Sequence, residues 1–314
     1  MLFRSVLEAI RDALDGVGLL PRSMEDEWGP GQIEVSFSPL VGLAAADAAV
    51  LFRSAVKQVC QRRGLLATFM CRPALPNFFS SGWHLHQSLL NRPDRSNAFA
   101  SVSSSLSAVG RRYVAGLLSH VGPMSVFAVP TVNGYKRFRP YSFAPDRVSW
   151  AVENRGALVR VQGAPGDASS HVEMRLGEPA ANPYFYLASN IAAGLDGIRR
   201  NLEPPPPVAA DPYAAEAPAL PGSLREAVDA LDADQFYRSA FGATLVDYLV
   251  MMKRAEIRRY EDALAAASGA PGSAGSGSSA GSAGSGSSAG SAGSAGSAGS
   301  DVSEWEMREY FEFF

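Results

Sequence analysis

Cysteine is nearly absent. Cys60 and Cys71 are the two that 314 residues contain, so a disulfide framework is excluded and a reducing, cytoplasmic compartment is expected. Neither sign of charge dominates, with Lys+Arg 28 against Asp+Glu 31. A nucleic-acid binder would carry a basic excess on some face, and a binder of anionic membranes a polybasic segment; the sequence has neither. Long apolar runs are missing too, and nothing approaches the ~20 residues of a membrane span. Arg4, Glu8, Arg11, Asp12 and Asp15 interrupt the first twenty residues, so no signal peptide is expected there.

Apolar residues are plentiful, at 46%, enough for one large domain or two ordinary ones. Leu2, Phe3, Val6, Leu7, Ile10, Leu14 and Val17 recur at helical spacing, ending near Gly16–Gly18. Gly29-Pro30-Gly31 makes a tight turn before a short strand over 33–37, and an Ala-rich helix runs from Leu43 to about Arg63, stopped by Gly64. Strands are expected over 66–71, 83–89, 126–129 and 157–161, with a further alternation at Val172, Met174 and Leu176. Helices are expected over 180–202, 224–231 and 240–267. Residues 269–300 are almost entirely Gly, Ser and Ala, which predicts a flexible coil. An aromatic tail helix over 301–314, with Trp305, Tyr310, Phe311, Phe313 and Phe314, then needs a surface to bury against, in its own fold or a neighbour. Strands and helices without strict alternation favour an α+β fold with a largely antiparallel sheet.

Three clusters bear chemistry. Glu27 and Glu34 flank the Gly-Pro-Gly turn, which can bring both carboxylates to one cation; such a pair taken alone is more often two solvated glutamates. In Gly82-Trp-His84-Leu-His86-Gln-Ser88, strand alternation puts His84, His86 and Ser88 on one face, as ligands or as an ordinary polar face. Glu173-Met-Arg175 repeats the pattern, with Arg155 and Arg160 upstream; a structural ion pair and surface arginines are the simpler readings one residue at a time. Together, Glu27, Glu34, Glu173 and His84 form a mostly oxygen donor set suited to Mg²⁺ or Mn²⁺. Arg137, Arg155, Arg160 and Arg175 would supply positive charge for a transferring phosphoryl group and a carboxylate.

The ordered blocks Gly-Pro-Gly-Gln-Ile-Glu34, Leu-Ala-Thr-Phe-Met70, Gly82 to Ser88, Tyr135-Lys-Arg137, Asn154-Arg155, Glu173-Met-Arg175 through Tyr184, Ala193 to Ile198 and Trp305 to Phe311 resemble the catalytic domain of the glutamine synthetase family. The resemblance covers nearly all of the chain except the Gly/Ser/Ala stretch. It implies an ATP-dependent ligase that phosphorylates a glutamate side-chain carboxylate and joins it to an amine. Glu27 and Glu34 match ligands of the substrate-side metal, and His84 and Glu173 match ligands of the metal on the ATP phosphates. His86 and Ser88 fall where the family contacts nucleotide, Arg137 and Arg175 where it grips the glutamate carboxylates, and Arg155 and Arg160 where it binds phosphate. It also implies a homo-oligomeric ring with active sites between subunits.

Three departures modify that expectation. The family's N-terminal β-grasp domain and first catalytic strand, with one further ligand for each metal, have no counterpart in these residues. Phe143 stands where the family places the glutamate that helps deprotonate ammonium, so a larger apolar or aromatic amine is expected. Asn77-Phe-Phe-Ser80-Ser81 replaces a glycine-rich, glutamate-contacting loop, with Ser80 as a substrate-side candidate. The expected activity is therefore a γ-glutamyl-amide ligase; the alternatives are a non-catalytic member that keeps the fold as an interaction protein, and an enzyme completed by another chain.

Overall fold

The computed structural model describes residues 2–268 and 302–314; the Gly/Ser/Ala stretch lies outside them. Helix α1 (Leu2–Gly16) turns Val6, Ile10 and Leu14 inward. It is followed by an antiparallel hairpin of β1 (Pro21–Asp26) and β2 (Ile33–Phe37), with Glu25 opposite Glu34. Helix α2 (Leu43–Arg62) ends because Gly64 adopts φ 70°, which lets Gly64 N bond Gln61 O at 3.1 Å and Leu65 N bond Cys60 O at 3.0 Å. Val56, Val59 and Cys60 of α2 close a small core against α1, joined by Met24 and Phe37 of the hairpin.

The main sheet has four strands in the order β3-β6-β5-β4: β3 (Leu85–Gln87), β4 (Trp150–Val152), β5 (Val159–Gln162) and β6 (His171–Met174). Only the β4–β5 pairing is parallel among the described strands, so the sheet is largely antiparallel. Helices α3 (Ala108–Ser119), α4 (Val121–Ala128), α5 (Pro183–Arg199), α6 (Leu224–Ala233), α7 (Gln235–Phe241) and α8 (Ala243–Ala267) supply the main core, into which Val159, Val161, Val172 and Met174 point. Helices α3 and α5 touch backbone to backbone: a Cβ on Gly116 would fall 2.1 Å from the Ala193 carbonyl oxygen. Asn182 caps α5, accepting from Tyr184 N and Phe185 N, with Pro183 in the first turn.

Several sequence expectations are corrected. Residues 126–128 are the end of α4, with Val129 as its C-cap, rather than a strand, because the run is buried on every side and has no edge partner. Residues 66–71 are not a strand: Met70 N bonds the Thr68 hydroxyl at 3.1 Å, and the following Arg72 N bonds Asn133 Oδ1 at 2.8 Å. The strand expected over 83–89 shrinks to β3. The helix expected from 240 is divided by Gly242 at φ 89°, separating α7 from α8.

Helix α9 (Glu304–Tyr310) lies against this body in the same chain. Val302 and Tyr310 bury beside Met70, and Glu306 is fully buried. Glu306 accepts from Asn133 Nδ2 at 2.9 Å, Lys136 Nζ at 2.5 Å and the Ser303 main chain and hydroxyl at 2.8 Å.

Candidate active site

Strand register assembles the site's centre. His86 pairs with Glu173 across β3–β6, and Arg160 pairs with Glu173 across β5–β6. Opposed residues share a face, so three strands present imidazole, carboxylate and guanidinium in one row, opposite the face that carries the valines into the core. Glu173 is buried, 2% exposed. Its Oε2 accepts from Arg160 Nη1 at 3.2 Å and its Oε1 from Arg175 Nη1. His84 Nδ1 lies 3.8 Å from Glu173 Oε1, buried and without a hydrogen bond. Burial holds His84 well below its usual pKa, and the charges of Arg175, Arg137, His86 and Arg155 add to the effect. A neutral imidazole with a free lone pair is the form a metal needs.

Arg137, 5% exposed, donates to the main-chain oxygens of Leu176 at 3.0 Å, Gly177 at 3.1 Å and Arg175 at 2.9 Å. That uses three of its roughly five N–H donors, so the residue also ties the strand β6 exit to its own loop. Gly82 is required beside it: a Cβ there would lie 2.7 Å from Arg137 Nη2. Arg160 Nη2 pairs with Glu153 at 2.6 Å. Arg155 is exposed and has no side-chain hydrogen bond among the described residues, while its charge reaches His84.

Arg175 Nη2 donates to the Phe143 carbonyl at 3.1 Å. Phe143, 63% exposed, therefore sits at the rim with its main chain fixed and its ring free. Arg72 Nη1 holds Ser80 at 3.0 Å. Gln32 of the turn reaches Ser81 at 2.9 Å, docking the hairpin onto the 77–81 loop. Ser88 is exposed just beyond β3.

Partial desolvation, then the charges of Glu27 and Glu25, push the Glu34 carboxyl up. The charge of Glu173 also acts on Glu34, after those of Glu27 and Glu25. The four expected ligands thus form two pairs, Glu27/Glu34 and His84/Glu173. No group of three or more His, Cys, Asp or Glu side chains gathers at metal-holding spacing among the described residues. The donor chemistry of each pair fits a hard divalent cation; each supplies two donors.

Sequence reasoning missed three neighbours. His171 Nε2 meets His86 Nδ1 at 3.0 Å, and its own Nδ1 lies 2.8 Å from Ser169 O. With His171 neutral, that carbonyl fixes its proton on Nδ1, so His86 donates from Nδ1 and keeps an open lone pair on Nε2. Tyr213, in a Pro/Ala-rich stretch, packs its ring on Gly156 beside Arg155. Glu178 is fully buried behind the Arg137 segment, accepting on Oε1 from Thr131 N at 3.1 Å and Thr131 Oγ1 at 2.7 Å.

Burial pushes the Glu178 carboxyl from 4.5 up to about 7. A folded-state value above the unfolded one means the folded chain holds the proton longer. Its contribution is complete below pH 4.5 and is lost as pH rises through about 7. The ceiling is about 3 kcal/mol. A Glu178→Gln chain, which cannot ionise there, is expected to lose about 1–3 kcal/mol less stability than wild type between pH 5 and pH 8. Urea unfolding at the two pH values checks this, and parallel losses in both proteins would refute it.

An α+β domain that groups His84, Glu173, Arg160 and Arg175 at one sheet has side-chain chemistry that suits phosphate and carboxylate ligands. The glutamine synthetase catalytic-domain model matches residues 2–268, and the chain belongs to the glutamine synthetase family. It is 48% identical over 264 residues to gamma-glutamylanilide synthase of Acinetobacter sp, covering 83% of this chain and 53% of that protein. It is 36% identical over 262 residues to glutamine synthetase of Thermus thermophilus, covering 79% of this chain and 58% of that one. Among solved structures, ligand-free GmaS superposes with a TM-score of 0.74 at 32% identity, over 82% of this chain and 60% of the other. The chain spans about half the length of the curated relatives it matches. The family implies ATP and a divalent cation in general terms.

Proposed function

We propose that this chain forms the catalytic part of an ATP-dependent ligase joining a glutamate-type side-chain carboxylate to an amine, with an aromatic or otherwise bulky amine in place of ammonia. The observation that carries the reading is the convergence of Arg137, Arg155, Arg160 and Arg175 around His84 and Glu173, with Arg175 clamping the loop that presents Phe143. The relative named gamma-glutamylanilide synthase supports the aromatic amine. In this reading Arg155 and Arg160 meet the phosphates, Arg137 and Arg175 hold the substrate carboxylate, and His86 and Ser88 face the nucleotide. In the same reading Glu27 and Glu34 of the hairpin serve the substrate side, with Ser80 at its edge. Mg²⁺ or Mn²⁺ held by the two donor pairs would neutralise phosphate oxygens. The same reading has the ligase work in the cytoplasm as a homo-oligomer, which the family likeness supports.

An ATP-coupled assay of the complete gene product with glutamate and an amine panel tests this; activity with ammonia alone would refute the amine assignment. Phe143→Glu is expected to lower kcat/KM for aniline about 10- to 100-fold and to improve use of ammonia, since a carboxylate then replaces the apolar wall. Equal aniline kinetics in both proteins would remove Phe143 from the amine site.

One observation favours a second reading, a binding protein without turnover: each donor pair is short of three ligands among the described residues. That reading predicts no Mn²⁺-dependent binding of a non-hydrolysable ATP analogue in calorimetry.

A further inference from the structure

The rim beyond Phe143 holds a second group of side chains that the phosphate and carboxylate chemistry leaves unused. Tyr141 and Phe143 both adopt positive φ, 60° and 57°, a conformation non-glycine residues keep where the surroundings hold it. The Tyr141 hydroxyl donates to Asp211 Oδ2 at 3.1 Å, and its ring tilts over Tyr213 at 5.0 Å between centroids. Asp211 Oδ1 in turn accepts from Tyr213 N at 2.9 Å, fixing that ring on the 3₁₀ turn that carries it. The Arg175–Phe143 bond ties this aromatic rim to Glu173.

Two polar atoms are buried at this rim, Asp146 Oδ1 and the Tyr213 hydroxyl, and Asp146 Oδ1 has no hydrogen-bond partner among the described residues. They lie close enough that the charge of Asp146 acts on the Tyr213 phenol. Arg175 acts on the same phenol, and the phenol acts on Arg137. The Tyr213 hydroxyl is thus within electrostatic reach of Asp146, Arg175 and Arg137. Asp146 is anchored by its main chain, whose carbonyl accepts from Leu220 N at 3.0 Å. A buried carboxylate oxygen without a donor is costly to keep, by roughly 1–3 kcal/mol or more. A ligand N–H would satisfy it.

We infer that Asp146 and Tyr213 form the subsite for the nitrogen of an aromatic amine. The amine's ring lies against Tyr141 and Phe143, and its N–H group meets Asp146 Oδ1. This rests on the ligase reading above and adds to it the group that takes the amine's proton. As the nitrogen attacks the acyl-phosphate carbonyl carbon, a C–N bond forms and the C–O bond to phosphate breaks. Inorganic phosphate leaves with that electron pair, and the surplus N–H proton passes to Asp146. Phe143 cannot accept a proton, and Asp146, three residues on, can. The Tyr213 hydroxyl holds the nitrogen's lone-pair side before attack and releases it as the bond forms.

The test pairs binding with kinetics. ¹⁹F NMR titration of the chain with 4-fluoroaniline and with 4-fluorotoluene reads the amino group alone. Wild type is expected to bind the aniline at least about 10-fold more tightly than the toluene, as fits an N–H bond to a charged acceptor. Asp146→Asn is expected to erase that preference, and Tyr213→Phe, which keeps the ring, to reduce it. In the complete gene product, Asp146→Asn should lower aniline kcat/KM about 100-fold or more, with the KM values for glutamate and ATP within about twofold. Wild-type preference and aniline kinetics retained in Asp146→Asn would overturn the subsite while leaving a working ligase. Aniline binding through Asp146 without any ligation would instead overturn the ligase reading and leave the subsite.

Discussion

Replacing Glu173 with glutamine is expected to lower ligase turnover by at least about 100-fold and to destabilise the fold by on the order of 3 kcal/mol. The stability effect follows from its partners. One oxygen takes Arg175 and the other takes Arg160, with side-chain exposures of 3% for the glutamate, 6% for Arg175 and 15% for Arg160. Glutamine is nearly isosteric, yet it turns one acceptor into an N–H donor aimed at a guanidinium. Losing one side of a buried ion pair typically costs about 3–5 kcal/mol, because the remaining charge stays desolvated. Arg160 keeps Glu153 at 2.6 Å as a second partner, which places the expectation at the lower end. The activity effect has a separate origin: the same carboxylate pairs with His84 as a donor set, and even outer-shell changes at metal sites typically cost 10–100-fold. Urea unfolding and the coupled assay, run on one preparation, separate the two. Full turnover in Glu173→Gln would remove Glu173 from the metal-binding proposal.

How much of this was legible in the sequence depends on whether a feature is local. Helix α1 and helix α2 declare themselves by period and by Gly64, because both signals lie within a few residues. Strand β1 does not: Pro21-Arg-Ser-Met-Glu-Asp26 has one large apolar residue and becomes a strand by pairing with β2. Residues 126–129 misled in the other direction. Val126, Phe127 and Val129 favour a strand locally, but a short apolar run cannot distinguish a strand from a helix enclosed on all sides. At the site, Glu173 and its arginines could be named from blocks and spacing. So could the two donor pairs, Glu27/Glu34 from the turn and His84/Glu173 from the resemblance; the hairpin's seat on the 77–81 loop, made by Gln32 on Ser81, is set by no interval in the chain.

The neighbours that were missed share one property. His171 reaches His86 through the β3–β6 pairing. Tyr213 reaches the rim through Gly156, whose missing side chain leaves room for the ring. Glu178 reaches Thr131 across 47 residues of chain. Each is ordinary in its local context, and each acquires its role from a partner far away in sequence. Asp146 had the one faint signal available: it follows the Phe143 departure by three residues, where an acid lost at one position can be supplied at the next turn of loop.

Lys136→Met is the other substitution expected to act strongly, at on the order of 3 kcal/mol, and it tests whether α9 positions the active-site loop. Lys136 precedes Arg137 in the same 3₁₀ turn, Gly134–Arg137. Its ammonium meets Glu306 Oε2 at 2.5 Å, with side-chain exposures of 18% and 0%. Removing it leaves the Glu306 charge fully buried with neutral donors alone, Asn133 and Ser303, which is the unfavourable half of a broken buried pair. The double change Lys136→Met with Glu306→Gln should recover part of the loss, since no net charge is then stranded. If α9 merely covered the surface, the single change would alter the melting temperature and leave the kinetics alone. Because Asn133 also bonds Arg72, which holds Ser80, disturbing Glu306 should loosen both Arg137 and the 77–81 loop. The expected signature is a several-fold rise in KM for glutamate with KM for ATP nearly unchanged, measured well below the melting temperature. Unchanged glutamate KM in a properly folded Lys136→Met protein would show that the tail stabilises the domain without setting the substrate grip.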